Sequence, residues 1–264
     1  MPHVIITGGS SGIGLAIAKL YHTRGWRISL LARREDLLDL AAGKLSDALG
    51  QNESRVFRAS VDVSDEQALR TAISRAEATH GPCNVLVASA GRVDPQDFDA
   101  QSPEIFESQF RVNFLGTVYA VRAVLKGMKQ RRSGTIVSIS SGAALIGIPG
   151  YAAYCASKSA LAGFVEALRE EVSRAGISVC ISFPPDTLTP QYESEIALRS
   201  DLARAIMGTV APWPVDKVAR KIVFGVDKGK REIHFGVALT LMSFFSPFIK
   251  PVLFWRVRRL SVRS

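Results

Sequence analysis

A tyrosine and a lysine four residues apart, Tyr154 and Lys158 in YAAYCASK, fall on one face of a helix. A phenol is a weak acid with an ordinary pKa near 10. A neighbouring ammonium favours the phenolate and lowers that pKa. Such a tyrosine can exchange a proton with a substrate oxygen near neutral pH. Upstream, an apolar run ends in Ser140 and Ser141. A hydroxyl there can hydrogen-bond the same oxygen and polarise a carbonyl. Tyr151 is the rival acid, but its partner one turn on is Cys155, which brings no charge. Taken alone, Tyr154 and Lys158 would be an ordinary helix pair; what surrounds them decides.

The elements that must position them alternate along the chain. Apolar runs at 4–7, 28–32, 56–60, 84–90, 135–140 and 177–182 are separated by helical stretches at 12–24, 34–48, 64–79, about 103–131 and 151–174. Ser64 and Gln67 have the spacing of a capping box for the third helix. Nearly all-apolar strands alternating with helices predict an α/β fold, a single Rossmann-type, doubly wound parallel sheet with helices on both faces. Residues 190–210 predict a helical excursion, 214–228 a further helix with proline in its first turn, and 232–236 a last strand.

The first strand runs into TGGSSGIG at 7–14. Gly8, Gly12 and Gly14 allow the backbone to approach a diphosphate, and the helix that follows offers N–H groups and a positive dipole end. Ser10, Ser11 and Ile13 complete the turn. A glycine-rich string between the first strand and first helix has the context the mechanism demands. An Asp or Glu ending the second strand would select NAD. Here Ala32 is followed by Arg33 and Arg34. A guanidinium forks onto a 2′-phosphate, so NADPH is the expected cofactor, with Arg33 the better placed of the two. Asp62 could accept from the adenine amino group or serve as an N-terminal helix charge. Val63, Ala90 and Gly91 are expected to line the same cleft.

The 264 residues, 47% hydrophobic and 22% charged, suit one large domain with a real core. Cys83, Cys155 and Cys180 are scattered, without metal spacing, and suit a reducing compartment. The start, MPHVIITGG, has no signal-peptide or anchor pattern. The net charge is +9, and residues 233–264 hold Lys250, Arg256, Arg258, Arg259 and Arg263 with no acid, leaving +4 for the rest. With no nucleic-acid-binding motif elsewhere, this concentration favours an anionic membrane surface.

The chain resembles the short-chain dehydrogenases/reductases from about residue 3 to 236. TGGSSGIG, ASAG at 88–91, the Asn113 of VNFLGT, SISSG and YCASK stand in that family's order. The resemblance implies that Tyr154 donates the proton, Lys158 holds the nicotinamide ribose and tunes Tyr154, Ser141 orients the carbonyl, and Asn113 holds a relay water. Ser141 is preferred to Ser140 because the family's serine usually sits thirteen positions before the tyrosine. ASAG replaces the usual NNAG, with Ala88 and Ser89 where the asparagines stand.

The proline-rich FPPDTLTP at 183–190 follows the last long apolar run. Pro184 and Pro185 occupy the family's Pro-Gly places. By resemblance Pro184, Thr187 and Thr189 hold the nicotinamide end, and about 186–212 form a substrate lid. PPDTLTP, LLARRED, SVDVSD and VEALREEV resemble a branch acting in sphingolipid synthesis, which reduces the 3-keto group of a long-chain keto sphingoid base (3-ketosphinganine) with NADPH. The rival expectations are a reductase of another hydrophobic ketone, such as a steroid, retinal or 3-ketoacyl chain, and a non-catalytic NADP(H)-binding regulator. Relatives also imply a homodimer through the helices at about 103–131 and 151–174.

Residues 235–249 carry no charge, and Pro247, Lys250 and Pro251 then interrupt the run. Fifteen residues fall short of the twenty or so a spanning helix needs. A tail at 237–264 lying on or re-entering the cytoplasmic face of a membrane is the expectation, with a buried C-terminal helix or a dimer contact as the alternatives. Trp255 beside arginines suits a headgroup interface.

Overall fold

The computed structural model describes residues 1–46, 55–208 and 210–261. The last two residues of the helix expected at 34–48, and residues 262–264 with Arg263, lie outside the described residues.

The apolar runs become strands β1 (His3–Thr7), β2 (Arg27–Ala32), β3 (Val56–Ser60), β4 (Val85–Ala88), β5 (Gly134–Ile139) and β6 (Ile177–Phe183). The helices are α1 (Gly12–Thr23), α2 (Glu35–Ser46), α3 (Glu66–His80), α4 (Pro103–Phe110), α5 (Gly116–Arg131) and α6 (Ala152–Val172). Beyond β6 come a short β7 (Thr187–Leu188), α7 (Pro190–Ile196), α8 (Asp201–Met207), β8 (Trp213–Pro214), α9 (Val215–Asp227), β9 (Glu232–His234) and α10 (Gly236–Ser261). The main sheet has the order β3-β2-β1-β4-β5-β6-β9 and every pairing in it is parallel.

The interior strands are buried on both faces and mostly apolar, with small polar exceptions such as Ser29, Ser138 and Ser182. One layer of core joins β1 and β2 to α1, α2 and α9 through Ile6, Ile17, Leu30, Leu38 and Ile222. The other joins the opposite face to α3, α5 and α6 through Ile5, Leu69, Val121, Leu161 and Val165. Edge strand β3 alternates, with Arg58 and Ser60 turned outward. Chain order reverses between β1 and β4, and a crevice opens above the carboxyl ends of the strands at such a switch point.

Three local details depart from the expected pattern. Asp65, not Ser64, caps α3 by accepting from the Ala68 N–H at 2.9 Å. Ser64 instead donates through both its N–H and its hydroxyl to Asp62 Oδ1. Pro214 stands just before α9 rather than in its first turn. The helix expected at 103–131 is continuous but wider over Arg111–Leu115, one π-helical turn that carries Asn113.

The tail is one element, α10, broken at Phe245 (φ −120°, ψ 21°) two residues before Pro247. Its stretch Gly236–Trp255 is long and apolar enough to cross a membrane. Val237, Phe244, Phe248, Val252 and Trp255 are exposed, while Met242 is buried and Ile249 and Leu253 pack beside α8. Arg259 lies over the Trp255 ring at 3.9 Å.

Candidate active site

The turn after β1 is shaped by what a side chain would strike. Gly8 has φ +68°, and a Cβ there would lie 2.8 Å from the backbone of Ala90. A Cβ on Gly14 would lie 2.4 Å from the Gly8 carbonyl oxygen. Only glycine lets strand, turn and helix approach this closely. Ser11 precedes α1 in extended conformation, and its side chain does not cap the first turn. The N–H groups of that turn are the ones an anion would meet.

A cleft of about 210 Å³ starts at this turn. Its walls include Gly8, Ser10, Ser11, Gly12 and Ile13 from the turn, Arg33 and Arg34 after β2, and Asp62 and Val63 after β3. Ala90, Gly91, Tyr154, Lys158 and Thr189 line the far end. These fit NADPH: a glycine cradle for diphosphate, guanidinia beyond β2 for a 2′-phosphate, and a tyrosine–lysine pair at the reacting end. Arg33 Nη1 lies 3.9 Å from Asp62 Oδ2, both on the exposed rim. Gly14 stays beneath the turn and does not line the cleft. Pro184 and Thr187 do not line it either. The Thr187 hydroxyl donates to the Pro185 carbonyl, and the Pro184 carbonyl accepts from the Gly142 N–H. Ser89 of the ASAG stretch lines it too, as does Gln191, which had no sequence signal.

At the reacting end the two serines separate. Ser140 Oγ donates to the Lys158 carbonyl at 2.9 Å and is buried by that bond. Ser141 begins a 3₁₀ turn, Gly142–Ala144, and its hydroxyl hydrogen-bonds Tyr154. Lys158 is 4% exposed, its ammonium donates to the Ile139 carbonyl at 2.9 Å, and it lies 5.7 Å from the centre of the Tyr154 ring. Burial pulls its pKa down to about 8. Tyr154 runs opposite to the sequence expectation. Burial first, then the Glu195 carboxylate, raise its pKa above the ordinary value, against a smaller lowering by the Ser141 bond. Taking a phenolate out of water raises its pKa, and Glu195 adds to the rise. A tyrosine so placed is fully protonated at neutral pH, the state a proton donor needs.

Asn113 is buried, both its amide N–H groups are used, and its oxygen accepts one bond. It donates to the Arg92 carbonyl and Ser157 Oγ, each at 2.9 Å, and accepts from the Arg92 N–H at 2.7 Å. It ties the loop after β4 to α6. Its backbone carbonyl accepts from Thr117 Oγ1.

A second cavity, about 110 Å³ and mostly apolar, begins at Ser141. Ile146, Ile148, Ile206, Met207, Leu239, Met242 and Leu253 line it, so α8 and α10 are its walls. Sequence reasoning set α10 apart as a tail; the fold makes it part of the site.

The stiff FPPDTLTP segment presents Asp186. Arg199, its side chain 4% exposed, grips both Asp186 oxygens at 2.6 and 2.8 Å and reaches Glu195 at 2.7 Å. Tyr151 donates to the same Glu195 oxygen at 2.7 Å. Sequence reading missed this network; its one local signal is the i,i+4 pair Glu195–Arg199 in α7 and the turn after it.

The match to known proteins fits this geometry. A family model described as short chain dehydrogenase matches residues 2–197, and the chain belongs to that family. It is 36% identical over 251 residues to the 3-ketodihydrosphingosine reductase of Bos taurus, covering 95% of this chain and 76% of that protein. It is equally similar, with the same coverage, to the 3-dehydrosphinganine reductase of Danio rerio. Among solved structures, a short-chain dehydrogenase from Streptomyces avermitilis superposes with a TM-score of 0.80 at 26% identity, over 98% of this chain and 97% of that one. An actinorhodin polyketide ketoreductase solved with NADPH also gives 0.80 at 26%, over 90% and 97%.

Proposed function

We propose that this chain reduces 3-ketodihydrosphingosine to dihydrosphingosine with NADPH. The observation that carries the reading is the junction at Ser141. A cofactor cleft ends at Tyr154 and Lys158, and an apolar cavity opens from Ser141 next to them. A ketone at that junction has its oxygen at two hydroxyls and its chain among Ile146, Ile206 and Met242. The relatives named above, reductases of this keto lipid, support the same substrate.

The bound dinucleotide supplies a hydride to the carbonyl carbon. Ser141 and Tyr154 donate hydrogen bonds to the carbonyl oxygen as negative charge grows there. Tyr154 then releases its proton to that oxygen, giving the alcohol. Lys158 holds the ribose end and stabilises the phenolate left behind. Asn113 positions the loop after β4 against α6. Arg33 and Arg34 bind the 2′-phosphate. The helices α7 and α8 act as a lid, with α10 as its outer wall.

The exposed apolar face of α10, with Lys250 and Arg259 among its cations, supports association with an anionic bilayer, which would bring a two-phase substrate to the site. Vesicle flotation checks this: a Phe244→Ser, Phe248→Ser variant is expected to stay with the soluble fraction. The polyketide ketoreductase neighbour makes another hydrophobic ketone the second reading. Purified protein with NADPH and a panel of hydrophobic carbonyl compounds in liposomes tests both. Faster turnover of 3-ketodihydrosphingosine than of steroid, retinal or 3-ketoacyl substrates supports the first; the reverse order overturns it.

A further inference from the structure

The chemistry above leaves one charged feature of the substrate side unused. Two carboxylates, Asp186 and Glu195, meet a single guanidinium, Arg199. The bidentate Asp186–Arg199 pair alone would fasten the segment after β6 to the lid. Glu195 adds a second carboxylate, mostly buried, and leaves the cluster with a surplus of one negative charge. Burial raises its pKa, against lowering by its bonds to Arg199 and Tyr151. A buried charge without full compensation is costly and calls for an opposite one.

The position of the surplus matters. Tyr151, which donates to Glu195, stands edge-on to Tyr154 with ring centres 6.3 Å apart. Both carboxylates act on the Tyr154 hydroxyl, Glu195 the more strongly. Asp186 is the one charged residue among the described residues lining the apolar cavity that opens at Ser141. Negative charge therefore acts on the Tyr154 hydroxyl, with Asp186 in the wall of a cavity suited to a hydrocarbon chain and Glu195 on the hydroxyl of the neighbouring Tyr151. An amphiphile with a cation next to its ketone matches both features at once.

We propose that Glu195, held with Asp186 by Arg199, recognises an ammonium on the carbon adjacent to the reacting carbonyl, and so selects long-chain amino ketones over plain long-chain ketones. The proposal rests on the reductase reading above and adds the residue that makes the choice. In 3-ketodihydrosphingosine the amine stands on C2, next to the C3 carbonyl that Tyr154 serves. Lys158 does not compete for the carboxylates, since its ammonium is turned to the Ile139 carbonyl.

The test is the ratio of kcat/KM for 3-ketodihydrosphingosine to that for octadecan-3-one in the same detergent, measured for wild type, Glu195→Gln and Glu195→Asp. Glutamine keeps the shape and removes the charge. The ratio is expected to fall at least about tenfold in Glu195→Gln, through KM of the amino ketone, and to recover partly in Glu195→Asp. The ligand-side counterpart needs no variant: N-acetylation of the substrate removes its charge and is expected to raise KM on wild type by a similar factor. Wild-type selectivity that survives intact in Glu195→Gln, or tolerance of the N-acetyl compound, overturns this proposal alone. A wild type that reduces octadecan-3-one as well as the amino ketone overturns both it and the sphingoid reading.

Discussion

The two halves of the site are built on different physics. The cofactor half rests on backbone: glycines at strand ends, a helix N-terminus and a switch point in a seven-stranded sheet. The substrate half rests on side chains: a buried ion network and the apolar faces of α8 and α10. A backbone cradle tolerates few substitutions. A side-chain site can be respecified residue by residue while the scaffold stays. The contrast explains how one fold serves many ketones.

Removing the cation at the centre of the network should break the substrate half hardest. Arg199→Met leaves Asp186 and Glu195 facing each other in a mostly buried setting. Losing one partner of a buried pair costs about 3–5 kcal/mol. We expect faster proteolysis within α7 and α8 and a lower midpoint in urea, with NADPH binding much less affected. Equal loss of cofactor binding would erase the distinction between the halves.

The next effect tests the cofactor half by its sign with pH. Lys158 has its pKa lowered to about 8 when folded, against about 10.4 unfolded. Between these values the unfolded chain binds more protons, so Lys158 makes stability rise with pH across that window. Below pH 8 its burial costs of order 3 kcal/mol. Lys158→Met is expected to be inactive yet more stable than wild type at pH 7, with the two urea midpoints converging towards pH 10. A variant less stable than wild type at pH 7 would contradict the assignment.

A smaller change sharpens the rim of the cleft. Arg33→Ala should lower kcat/KM for NADPH by about tenfold and leave NADH little changed, and Arg34→Ala should do less. The ratio of the two cofactors in the same assay reads this directly.

The halves also differ in how much the sequence disclosed. Strands β1, β2 and β4 to β6 were legible because a strand covered on both faces is a contiguous apolar run. The turn at 7–14 and the Tyr154–Lys158 spacing are local and short, and chemistry fixes their residue types. The network was not legible because Asp186 and Arg199 are thirteen positions apart, with β7 and the turn of chain into and out of α7 between them. The role of α10 was hidden for a related reason. An apolar stretch has the same composition whether it is exposed or walls a cavity, and here one side is exposed and the other walls the cavity. The α3 cap was misplaced by one residue because Ser64 and Asp65 are both good caps, and Asp62 had already engaged Ser64. The direction of the Tyr154 shift turned on burial, which spacing does not disclose.

The central claim, that Tyr154 is the proton donor of an NADPH-dependent reduction, is tested most directly by Tyr154→Phe. Turnover of 3-ketodihydrosphingosine with NADPH and the dissociation constant for NADPH are measured on the same preparation of wild type and variant. The account predicts a loss of kcat of about a hundredfold or more with NADPH affinity within a factor of two. Turnover by the phenylalanine variant close to wild type would contradict it.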